Sequence, residues 1–152
     1  MIPSVDYIRI LPELVLTIFG ILVMLVDPLI APNDSKKPLG YIAAVGVLAA
    51  LAATAVQTHF YGDAFYNMVR VDTFSVFFIH VILLVTLVVI LSSFEYMAVQ
   101  RIRAGEYYAL ILFGVVGMAL MSSAVELVLI FIALEISSIS TYILTGFRRN
   151  EA

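Results

Sequence analysis

Five runs of about twenty apolar residues, separated by short polar breaks, constrain this chain more than any other feature. They fall at approximately 11–31, 39–60, 73–94, 107–121 and 127–147. An α-helix rises 1.5 Å per residue, so roughly 20 residues cross a hydrocarbon core of about 30 Å. Apolar residues occupy every face of these runs, without the alternation of a barrel strand. The fourth run is short and relies on its flanks. Composition points the same way: 63% of the 152 residues are hydrophobic and 12% charged, against roughly 45–50% and about 25% in a soluble domain. Mean hydropathy is +1.11. Too few polar residues remain to cover a water-soluble globule. The sequence therefore predicts an all-α integral membrane protein, a single membrane domain over 1–152 with five transmembrane helices.

The breaks have local causes. Pro12 falls in the first turn of the first helix, where its missing N–H costs nothing. Asp27-Pro28 and the run from Pro32 to Pro38 stop that helix and make a polar loop. Asp72 is placed to cap the third helix. Ser122-Ser123 alone separates the fourth and fifth runs, which makes them antiparallel neighbours. The first run lacks a basic leader and a small-residue cleavage pattern, so it reads as a retained helix. Arg9 and Arg70 lie on one side of the membrane; Lys36, Lys37, Arg101, Arg103, Arg148 and Arg149 lie on the other. Lys/Arg excess marks the cytoplasmic side, which puts the amino terminus outside and the carboxyl terminus in the cytoplasm of a bacterial inner membrane.

Several chemistries are excluded. The chain has no cysteine, so it offers no disulfide, thiol chemistry or iron–sulfur ligand. A net charge of −3 with eight Lys+Arg argues against a nucleic-acid partner. No phosphate-binding loop, dinucleotide fingerprint, metal cluster or hydrolytic triad is present, so no catalytic, cofactor or metal residue is assigned.

What remains is the set of ionisable groups inside apolar runs. Glu135 stands out: it lies nine residues after Glu126 and thirteen before Arg148, near the bilayer midplane. A charge at that depth costs a few kcal/mol, so the group must face protein or water. Ser138 and Tyr142 share its helical face, with Thr145 further round. A titratable group above hydroxyls that hold water is what a proton or ion path needs. The competing reading is helix packing by Ser and Thr with Glu135 as a neutral hydrogen bonder. His80 reads as a core histidine satisfied by a neighbour, and Glu13 and Asp27 as interfacial groups. Glu126 suits the positive end of the fifth helix. Phe74, Phe77 and Phe78 read as packing or lipid-facing residues.

Val71-Asp72-Thr73-Phe74-Ser75, Gly105-Glu106-Tyr107-Tyr108-Ala109-Leu110 and Gly117-Met118-Ala119-Leu120-Met121 are followed by Leu134-Glu135-Ile136 with Ser138, Ser140 and Tyr142, and by Phe147-Arg148-Arg149. With Pro12-Glu13, this pattern resembles subunit N of the bacterial proton-translocating NADH–quinone oxidoreductases (respiratory complex I), an antiporter-like membrane subunit. The resemblance implies a role in redox-coupled proton pumping, with Glu135 matching the family's glutamate on the fifth helix; helical spacing adds Ser138 and Tyr142 beside it on the expected proton path. NADH and quinone would be used by the parent complex, with no cofactor in this chain; its partners would be other membrane-arm subunits and the lipid bilayer. Family members have about fourteen helices built on inverted repeats, so the resemblance further implies an amino-terminal fragment. No position here matches the lysine that partners the glutamate in the family. Another antiporter-like complex I subunit, a cation/proton antiporter subunit and a non-transporting membrane assembly fragment are the alternatives.

Overall fold

The computed structural model describes residues 1–100 and 103–147. Arg101, Arg148 and Arg149, on which part of the charge asymmetry rests, lie outside the described residues. A short helix α1 (Ser4–Arg9) leads into α2 (Leu11–Val26), which tightens into a 3₁₀ turn over Asp27–Leu29. Then come α3 (Lys37–Gln57), a hairpin of β1 (Gly62–Ala64) and β2 (Val69–Val71), α4 (Thr73–Gln100), α5 (Ala104–Ser123) and α6 (Leu127–Gly146). Helices α2 to α6 are each long and apolar enough to cross a membrane.

The helix ends depart from the apolar runs for identifiable reasons. Helix α4 continues to Gln100, six residues past the run's last aromatic at Phe94, because no Gly or Pro interrupts it before Gly105. Helix α3 stops at Gln57, and the carbonyls just beyond it turn to the Arg9 side chain. Asp72 does cap α4: its Oδ1 accepts from the Ser75 N–H at 2.8 Å, and Ser75 Oγ accepts from the Asp72 N–H at 2.9 Å. This reciprocal pair satisfies amide donors that a helix start leaves orphaned. The hairpin was not foreseen. Its turn places Phe65, Tyr66 and Asn67 in the left-handed region, with φ of 50°, 57° and 68°.

Helices α2, α3, α4 and α5 pack in a ring, each against the next, and α6 lies against α5 on the outside. Leu16, Val47, Leu83 and Leu112 are fully buried in the ring's core. Close approach depends on glycines, Gly46 and Gly117 among them. A Cβ on Gly46 would lie 2.7 Å from Phe19 Cβ, and one on Gly117 would lie 2.7 Å from Ala133 O and Ser137 N. Small residues let backbones meet where lipid supplies no hydrophobic drive between helices. Gly117 thereby decides which side of α6 faces the ring.

Candidate functional site

Helix α6 is fixed to α5 through Ala133, Ser137 and Ser140. Glu135 lies two residues from Ala133, about 200° round the helix, and so on the opposite face. It is exposed, Ser138 is half-buried and Tyr142 is 72% exposed. The three form a stripe on the outer surface of α6, as their spacing predicts. No hydrogen bond joins them, and no ion pair of Glu135 occurs among the described residues. The neighbouring hydroxyls close on their own helix: Ser140 Oγ donates to Ile136 O at 2.9 Å, and Thr141 Oγ1 to Ser137 O at 2.9 Å. These local bonds satisfy a hydroxyl in an apolar setting without a partner helix. The stripe thus leaves Glu135 as its one titratable carboxyl, open to whatever packs on α6.

Polar groups gather at both ends of the ring. On the side carrying α1 and the hairpin, Arg9 donates to the carbonyls of Phe60, Asp63 and Tyr61 at 3.0, 2.6 and 3.2 Å. Asp6 Oδ2 accepts from the Phe65 N–H at 3.0 Å. Arg70 and Asp63 pair on the hairpin surface at 2.7 Å, and that carboxylate holds the Arg70 guanidinium above its usual range. At the other end Lys36 bridges Asp27 at 3.0 Å and also donates to the carbonyls of Asp27 and Ile30. A cation suits these carbonyls, which mark the negative end of α2.

Glu13 departs from the interfacial placement expected of it. The residue is 4% exposed, and neither carboxyl oxygen has a hydrogen-bond partner. Its place near the start of α2 suggested solvent, but the packed helices bury it. Gln57 is also fully buried; its Nε2 donates to Arg9 O at 2.6 Å while its Oε1 has no partner. His80 is satisfied by neighbours, as expected, through Val76 O at 2.8 Å and Thr54 Oγ1 at 3.0 Å. Sequence reasoning passed over Gln57 and Thr54; a buried-length apolar run containing one Gln near its end was the available signal. Phe74 and Phe77 are more than half exposed on the outer face of α4. No cluster of three potential metal ligands occurs among the described residues.

No family model matches the chain. Curated relatives do. Subunit N 2 of the NADH-quinone oxidoreductase of Koribacter versatilis is 58% identical over 99% of this chain and 32% of its own length. Subunit N 1 of the enzyme of Solibacter usitatus is 38% identical over 96% of the chain and 30% of its own length. F(420)H(2) dehydrogenase subunit N of Methanosarcina mazei is 34% identical over 93% of the chain, again 30% of its own length. The chain therefore spans about a third of the length of the curated relatives it matches.

Proposed function

We propose that this chain, which belongs by sequence to the subunit N family of NADH-quinone oxidoreductases, serves in the membrane arm of such a complex and takes part in redox-coupled proton translocation. The observation that carries this reading is the 58% identity, over 99% of the chain, to the Koribacter subunit. Five apolar helices suit a membrane part. A chain without cysteine supplies no thiolate to an iron–sulfur cluster, and in this reading NADH oxidation and quinone reduction fall to partner subunits. The Methanosarcina relative points the same way: its name carries a different electron donor, so what the relatives share is remote from the donor site.

Within that role, Glu135 carries the titratable step, with Ser138 and Tyr142 beside it as hydroxyls able to hold water against it. A carboxyl on the outer face of α6 is costly against lipid, and in the working assembly it faces protein or water. An adjacent ammonium favours the carboxylate, and withdrawing that ammonium favours the acid. Alternating the two moves one proton on and off Glu135. The amino terminus faces outside and the cation-rich ends face the cytoplasm.

Recovery of the tagged chain from its native membrane tests the reading. Co-purification with hydrophilic, NADH-oxidising subunits is the expected result. Recovery with a cation/proton antiporter assembly, or alone, would replace it with one of the alternative roles.

A further inference from the structure

At the end of the ring away from the hairpin, the span of α2 finishes at Leu29, α3 begins at Lys37, the span of α4 finishes at Ala98 and α5 begins at Ala104. A cavity of about 670 Å³ opens among these ends, within the range that takes small ligands. Its walls divide by chemistry. Phe94, Met97 and Tyr108 come from α4 and α5, whereas Asp34, Lys36 and Lys37 come from the loop and the start of α3. Gly40 lets the two aromatic walls meet: a Cβ there would strike the Phe94 ring and lie 2.9 Å from the Tyr108 hydroxyl. Beside the cavity, the Tyr41 ring is 5.1 Å from Phe94 and more than half exposed, as aromatic residues are where hydrocarbon gives way to headgroups. A ligand at this depth meets headgroups on its polar side and the first acyl carbons on its apolar side.

The charges on the polar wall are not equivalent. Lys36 uses all three of its protons: Nζ donates to Asp27 Oδ1, Asp27 O and Ile30 O at 3.0, 3.0 and 3.1 Å. Lys37 and Asp34 are exposed, and neither side chain has an ion pair or hydrogen bond among the described residues. Arg103 and Glu106, at the start of α5, pair with each other at 3.2 Å, and Glu95 of α4 lies outside the walls. The cavity therefore offers one free ammonium and one free carboxylate beside an apolar surface. A simple anion would gain the first and be repelled by the second, and a simple cation the reverse. A zwitterion carrying a phosphate and a primary ammonium satisfies both.

We propose that this cavity binds a phospholipid whose headgroup is an aminoethyl phosphate, a phosphatidylethanolamine. The phosphate oxygens accept from the Lys37 ammonium, helped by the positive end of α3. The lipid ammonium donates to the Asp34 carboxylate. The glycerol and the upper part of one acyl chain lie against Phe94 and Met97. A choline headgroup has no N–H to give Asp34, and a glycerol headgroup has no cation, so the pair selects among lipids with identical tails. Basic pockets at helix ends commonly take lipid headgroups; here the free carboxylate narrows the choice to one that is also a donor.

The site belongs to the chain itself, whatever complex contains it. Native mass spectrometry of the full chain in mild detergent, titrated with dioleoyl lipids that differ only in headgroup, tests it. The ethanolamine lipid is expected to bind about fivefold more tightly than the choline or glycerol lipid, a ratio that one exposed charge-assisted contact can supply. Lys37→Gln is expected to weaken all three lipids. Asp34→Asn is expected to remove the preference for ethanolamine while leaving the glycerol lipid bound. Arg70→Gln, at the other end of the ring, is expected to change neither. Equal binding of the three lipids by the parent would overturn the proposal, as would binding indifferent to Lys37→Gln or a preference that survives Asp34→Asn. Soluble phosphoethanolamine binding as tightly as the lipid would also overturn it, in favour of a site for a free phosphate ester.

Discussion

Arg9 ties the first turn of the chain to the far end of α3. Its guanidinium spans three carbonyls, those of Phe60, Tyr61 and Asp63. Arg9→Ala should destabilise the protein by about 1–2 kcal/mol, in keeping with charge-assisted bonds that water partly replaces. Arg9→Lys should recover only part of that, because one ammonium cannot match a planar fork on three acceptors. Thermal unfolding in detergent measures both, with faster proteolysis of the 58–68 segment as a second readout. Single residues were also where the sequence was least legible. Glu13 sits three residues into an apolar run, a position that implies solvent unless packed helices bury it, and they do. The Asp72 cap, by contrast, is a local bond across three residues, and local chemistry is written in sequence. Glu135 was legible as a carboxyl near the middle of a long apolar helix; that its face points away from α5 was not.

The reason lies at the level of the element. Helix α6 is apolar on nearly every side, so no contrast within its sequence marks the face that packs. Gly117 on α5 marks it, together with the small side chains of Ala133, Ser137 and Ser140. This predicts a specific cross-link. A Cβ on Gly114 would lie 3.4 Å from Ser140 Cβ, close to the 3.5–4.5 Å that a disulfide spans. Because the chain has no cysteine of its own, Gly114→Cys with Ser140→Cys should form one intramolecular disulfide on mild oxidation. Adding Gly117→Leu should abolish it, since the leucine would meet the backbone of α6; persistence of the bond would contradict this packing. The five spanning helices themselves were readable because roughly 20 apolar residues have few other fates. The hairpin was not, because Phe65, Tyr66 and Asn67 adopt a backbone that glycine usually signals, and none of the three is glycine.

For the whole molecule, the ring of α2 to α5 buries its own polar groups, while α6 shows its Glu135 stripe outward. That division suits a piece of a larger membrane assembly whose remaining parts cover α6. The proposed orientation rests on the lysines and arginines, and a reporter fused after Arg149 should be active in the cytoplasm and silent outside; the reverse would overturn the placement of both termini. The account stands or falls on whether the charge state of Glu135 is coupled to electron transfer. Glu135→Gln keeps size and hydrogen bonding but cannot ionise, whereas Ser138→Ala removes a single hydroxyl. The decisive measurement is NADH-driven proton uptake into vesicles bearing the membrane complex that contains this chain. The account predicts that Glu135→Gln assembles normally yet loses most coupled pumping, with Ser138→Ala milder. An assembled Glu135→Gln complex that pumps at the parental rate would contradict it and leave Glu135 a packing residue.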